Sequence, residues 1–88
     1  MPVHFKSRLA MRFRKAFAAL TKENQEAALT AYNLWKTDPF HPSLHFKSIR
    51  GNVWSVRVTA HCRALGEMEG DTITWLWIGN HREYEKRT

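Results

Sequence analysis

At residue 40 the hydrophobic period of this chain changes, and that change limits the fold more than any other feature of the sequence. Before it, "RLAMRFRKAFAAL" (residues 8–20) sets Leu9, Phe13, Ala16, Phe17 and Leu20 at helical spacing on one face, with Arg8, Arg12 and Lys15 on another. Thr21 is an N-cap candidate with Glu23 in the following turn, and "KENQEAALTAYNLWKT" carries Ala27, Ala28, Ala31, Leu34 and Trp35 along one side. Asp38-Pro39 ends this second helix, because the residue before a proline is pushed out of the helical region. The spacing therefore predicts a helical hairpin over residues 8–36.

After residue 40 the alternation is that of strands: "SLHFKSI", "VWSVRVT", "CRALGEME" and "TITWLWIG". They are separated by Arg50-Gly51-Asn52, Ala60-His61 and Glu69-Gly70-Asp71, each short enough for a hairpin. The expected architecture is α+β: a two-helix hairpin packed on a curved antiparallel sheet of three to four strands, one domain over residues 1–88. Period two places Trp54, Val56 and Val58 on one side of their strand and Arg57 on the other. By the same rule Arg63 is opposite Cys62 and Ala64, Lys47 is opposite Phe46, and Trp75 and Trp77 share a face with Ile73. If the helices cover the apolar side, Lys47, Arg57 and Arg63 converge on the uncovered one.

Charge narrows the partners. Fourteen Lys and Arg against eight Asp and Glu leave +6, and the first 20 residues hold five cations and no acid. Such a surface attracts polyanions or an acidic protein. The single cysteine, Cys62, excludes an internal disulfide and a cysteine-based zinc site, which suits a reducing cytoplasm. No stretch reaches the roughly 20 apolar residues of a membrane span, and the N-terminus lacks the apolar core of a signal peptide. His41 and His45 are four apart, but Pro42 between them argues against a helix and no acid or cysteine cluster joins them, so no metal or cofactor is expected.

The chemistry concentrates at the C-terminus. In "TWLWIGNHREYEKRT" an apolar strand delivers His81 and Tyr84 just past Gly79-Asn80. A histidine moves protons near neutral pH, and among cations it would meet a bound phosphate. Metal-free RNA cleavage needs a base for the 2′-hydroxyl, cations for the phosphorane charge and an acid for the departing 5′-oxygen. A surface histidine in a tail, and long cations on a solvated sheet face, are the plain alternatives. The arginine and lysine stripe of the first helix reads as a solvated face.

The ordered segments "DPFHPSLHFKSIRG", "VWSVRVTAHCRALG" and "WLWIGNHREYEK" resemble the RelE/ParE superfamily of bacterial toxins from toxin–antitoxin pairs, over roughly residues 8–85. The resemblance implies two helices against a curved antiparallel sheet and, in many members, ribosome-dependent cleavage of messenger RNA. It assigns catalytic roles to His81, Tyr84 and Arg63, and phosphate or RNA contacts to Lys47 and Arg57; Arg50 and Arg82 are further candidates for such contacts. It also implies a small acidic antitoxin as partner, with a toxin–antitoxin hetero-oligomer as the form in which the two coexist. Members of the ParE branch act on DNA gyrase instead, so a non-enzymatic gyrase inhibitor or an inactive homologue stands as the alternative. Many members open with an edge strand; only "PVHF" precedes Lys6 here, so that strand is expected to be short or absent.

Overall fold

The computed structural model describes residues 4–80 together with Arg82 and Lys86. The chain runs β1 (Lys6–Leu9), α1 (Met11–Ala18), α2 (Lys22–Thr37), a short 3-10 turn (Pro42–Leu44), β2 (Lys47–Arg50), β3 (Val53–Thr59), β4 (Cys62–Glu69) and β5 (Thr72–Asn80). The strands form one sheet in the order β1-β5-β4-β3-β2. Four are antiparallel neighbours in chain order, while β1 lies parallel to β5. The sheet is thus mixed and has five strands, one more than the alternation indicated.

The additional strand is β1, where the sequence pattern had extended the first helix back to residue 8. Lys6 to Leu9 pair with Thr72 to Trp75, and the ends are pinned where Lys6 N–H donates to Asp71 O at 2.8 Å and Ala10 N–H to Trp75 O at 3.0 Å. Arg8 consequently sits on an edge strand rather than on the helix with Arg12 and Lys15. Helix α1 is left with eight residues, no side-chain N-cap and no acid in its first turn. Helix α2 is the better-formed element. The Thr21 side chain accepts from Asn24 N–H at 3.2 Å, Glu23 stands in the positive first turn, and the helix ends at Thr37 before Asp38-Pro39.

Both helices lie on one face of the sheet, α1 over β5 and α2 over β3. Trp35 is the hub of the core beneath them. Its ring meets Trp75 edge-on at 5.5 Å and Phe46 at 5.7 Å, and it stacks on Phe5 and Tyr32. Leu44, Val56, Cys62, Ala64, Ile73 and Ile78 complete the buried cluster. Burial raises the Cys62 thiol above its ordinary pKa, with the nearby Arg63 charge opposing, so this cysteine stays neutral at physiological pH. The Tyr32 hydroxyl shares a hydrogen bond with Ser7 Oγ at 2.5 Å, which ties α2 to β1. The indole N–H groups of Trp35 and Trp75 are buried without an acceptor among the described residues, a cost of about 1–3 kcal/mol each that the aromatic packing must offset.

The last strand departs from simple alternation. Leu65 pairs with Trp77 but Gly66 with Trp75, so Leu76 is an extra residue in β5. This bulge reverses the facing of everything after it. Trp75 and Ile78 therefore enter the helix-covered core, and Trp77, expected beside Trp75, points to the opposite side with Leu65. A side-chain Cβ at Gly79 would stand 2.2 Å from the Trp77 ring, so the indole covers this glycine.

Candidate nucleic-acid interface

The face away from the helices is built by cross-strand register. Arg57 of β3 pairs directly with Arg63 of β4, and Arg63 pairs in turn with Gly79 of β5. One row along, Lys47 pairs with Ser55, Ser55 with Leu65, and Leu65 with Trp77. Two half-buried arginines thus occupy directly opposite positions on this face, at the end of the sheet where β5 finishes, Asn80 lying opposite Cys62. Lys47 is exposed at the near edge.

The solvated face that is the plain alternative for these cations is interrupted. Ser55, Leu65 and Trp77 are buried in its middle, and the cations border that patch. Its charge is also graded. Along β4 the same face reads Arg63, Leu65, Glu67 and Glu69, so one end is cationic and the other acidic. An anion is directed to the Arg57–Arg63 end.

Arg63 is held in place before any ligand arrives. Its Nη1 donates to the carbonyl of Thr59 at 2.8 Å, across the turn between β3 and β4. Among the described residues no carboxylate pairs with Arg57 or Arg63, and a guanidinium offers five N–H donors in a fork that suits an anion. Two like charges directly opposite each other on neighbouring strands destabilise the sheet, and an anion between them removes that penalty.

The other anticipated residues distribute differently. Arg50 pairs with Val53, about 13 Å along β3 from Arg57, and so belongs to the acidic end of the face rather than to the arginine pair. Arg82 is exposed. His81 and Tyr84 lie outside the described residues. Among the described residues, no three His, Cys, Asp or Glu side chains gather closely enough to hold a metal ion, and no helix is long and apolar enough to cross a membrane. Sequence reasoning missed the placement of Trp77 beside Arg63; the only local signal was Gly79, a residue without a side chain two positions after a tryptophan.

Residues 22–86 match the model of the ParE-like toxin domain. The chain belongs to the ParE-like toxin family. The fold agrees with this membership. It resembles the toxin–antitoxin complex RelBE2 from Mycobacterium tuberculosis at a TM-score of 0.70 and 18% identity, over 90% of this chain and 93% of that one. The RelB–RelE complex from Methanococcus jannaschii gives 0.71 and 16%, over 91% and 96%. A YoeB/ParE toxin from Agrobacterium tumefaciens gives 0.66 and 18%, over 88% and 99%. No curated sequence matches the chain. For this ParE-like toxin the likeness to solved structures establishes the fold, and the chemistry rests on its own side chains.

Proposed function

We propose that this ParE-like toxin cleaves messenger RNA on the ribosome without a metal and is neutralised by a small acidic antitoxin. The observation that carries the reading is the Arg57–Arg63 pair, uncompensated by acid among the described residues and located where the chain leaves β5 toward His81. In this mechanism a base removes the 2′-hydroxyl proton and the 2′-oxygen attacks phosphorus. The bond to the 5′-oxygen then breaks as that oxygen receives a proton. His81 supplies one of the two proton transfers. Arg57 and Arg63 stabilise the charge on the phosphorane, and the buried Leu65–Trp77 patch beside them strengthens that interaction by excluding water. Lys47 holds the strand at the edge of the site, and Tyr84 stacks on a base or assists the proton transfer.

Single-turnover cleavage of ribosome-bound message tests the reading. His81→Gln keeps a polar side chain but removes the titrating group, so cleavage falls by about 10² to 10⁴ while ribosome affinity persists. Arg63→Ala lowers both, since a phosphate clamp acts in the ground state and in the transition state. Unchanged cleavage in His81→Gln removes the histidine from the mechanism.

A second reading is supported by the matched family model itself, which is ParE-like. Under it the same cationic face binds a protein target, DNA gyrase, and performs no chemistry. Wild-type protein that cuts no message but blocks DNA supercoiling selects this alternative.

A further inference from the structure

The face that carries Arg57 and Arg63 holds a second polar row, about 13 Å along β4 from the arginine pair. There Glu67 pairs with Val53 of β3, and Val53 pairs in turn with Arg50 of β2. On its other side Glu67 pairs with Thr74 of β5, and Thr74 with Arg8 of β1. Across the sheet the row therefore runs Arg50, Val53, Glu67, Thr74, Arg8, a carboxylate separated from a cation on each side by one short neutral residue. Glu67 and Arg50 are exposed, and Val53 between them is half-buried. Among the described residues the Glu67 carboxylate has no hydrogen bond and no ion pair. We propose that Glu67 reads a guanine base of the bound message, flanking the phosphate held at Arg57 and Arg63; that the ligand is message rests on the function proposed above.

The first support is what an RNA strand can present here. Phosphates are repelled from this end, since Glu69 follows Glu67 on the same face. A base edge is not repelled, provided that it donates, because a carboxylate only accepts. Guanine alone among the four bases sets N1–H and the N2 amino group side by side, so that both carboxylate oxygens are met at once. Adenine, cytosine and uracil place an acceptor beside their donor on the same edge, and one carboxylate oxygen then faces a lone pair.

The second support is the cation across Val53. The opposite edge of guanine carries O6 and N7, the pair of acceptors that an arginine fork grips. A guanine resting on Val53 has its donor edge toward the Glu67 position and its acceptor edge toward the Arg50 position. Arg50 thereby takes a base rather than a phosphate, and Lys47 on the same short strand brings the message along that side of the sheet. Glu69 lacks this arrangement. Its partner is Thr72, and no residue of β3 pairs with it.

The test is equilibrium binding of the full chain to short oligouridylates, 2′-O-methylated against cleavage, in which one position at a time carries guanine, hypoxanthine, adenine or cytosine. At one position guanine should tighten binding by about tenfold or more over the other bases, and hypoxanthine, which lacks the N2 amino group, should lose most of that advantage. Glu67→Gln should abolish the preference while the all-uridine strand binds at least as tightly as before. Arg50→Ala should reduce the preference, Glu69→Gln should leave it intact, and Arg63→Ala should weaken every strand by a similar factor. Equal affinity for all bases, no binding of any strand, a guanine preference that survives Glu67→Gln, or the same loss of preference in Glu69→Gln overturns the proposal. Message cleavage is followed in parallel. A guanine preference in a chain that cuts no message keeps this base site and removes only the nuclease reading, whereas cleavage without base preference removes the base site alone.

Discussion

Arg57 stands where its charge opposes stability. Its position pairs with that of Arg63 on the neighbouring strand, and like charges at directly opposite positions cost about 0.2–1 kcal/mol when no anion intervenes. Arg57→Gln should therefore raise the melting temperature slightly while lowering RNA affinity and cleavage; a variant both less stable and fully active contradicts the role assigned to it. Gly79 makes the opposite point. A methyl group there meets the Trp77 ring, so Gly79→Ala should cost about 1–3 kcal/mol and shift the tryptophan emission as the indole is displaced. A melt at the wild-type temperature with unchanged emission would refute the covering of Gly79 by Trp77.

At the scale of elements, the Ser7–Tyr32 hydrogen bond is the side-chain tie between α2 and the edge strand. Tyr32→Phe should lower stability by about 1 kcal/mol and speed amide exchange in β1 more than in β3 or β4, because the lost bond releases the edge first. Uniform exchange across the sheet would show that β1 does not open separately. Strands β3 to β5 were legible as alternating segments, and α2 was legible from Thr21 and Asp38-Pro39, because those signals are local; of the strand expected in "SLHFKSI" only Lys47 onward pairs, since Ser43 and Leu44 lie in the 3-10 turn and His45 is left-handed. The start of α1 was not. Leu9 and Phe13 are four apart, which imitates a helical stripe, while the partner that makes residues 6–9 a strand lies in β5, far along the chain. The same limit applied to the site. Alternation put Arg57 and Arg63 on one face, but only register shows that they are directly opposite. The bulge at Leu76 reversed Trp77 in a way that a period of two cannot express.

For the whole molecule, charge and topology have separate consequences. With +6 in total and a cationic end on one sheet face, RNA affinity should fall steeply between low and physiological salt as counterion release loses its advantage. Affinity for an acidic antitoxin with a largely apolar interface should weaken less. A flat salt dependence of RNA binding, measured on wild type and on Arg63→Ala alike, rules out phosphate as the main contact. The parallel pairing of β1 with β5 bears on synthesis. The first strand to be made finds its neighbour only in the last, since Lys6 must wait for Thr72 and Leu9 for Trp75. Until residues 72–75 have been made, β1 has no edge to join, and α1, which follows it directly, lacks the strand over which it packs. A ribosome making this chain therefore holds an incomplete sheet until β5 has emerged, and one early strand stays unpaired while every element between it and its neighbour is being made.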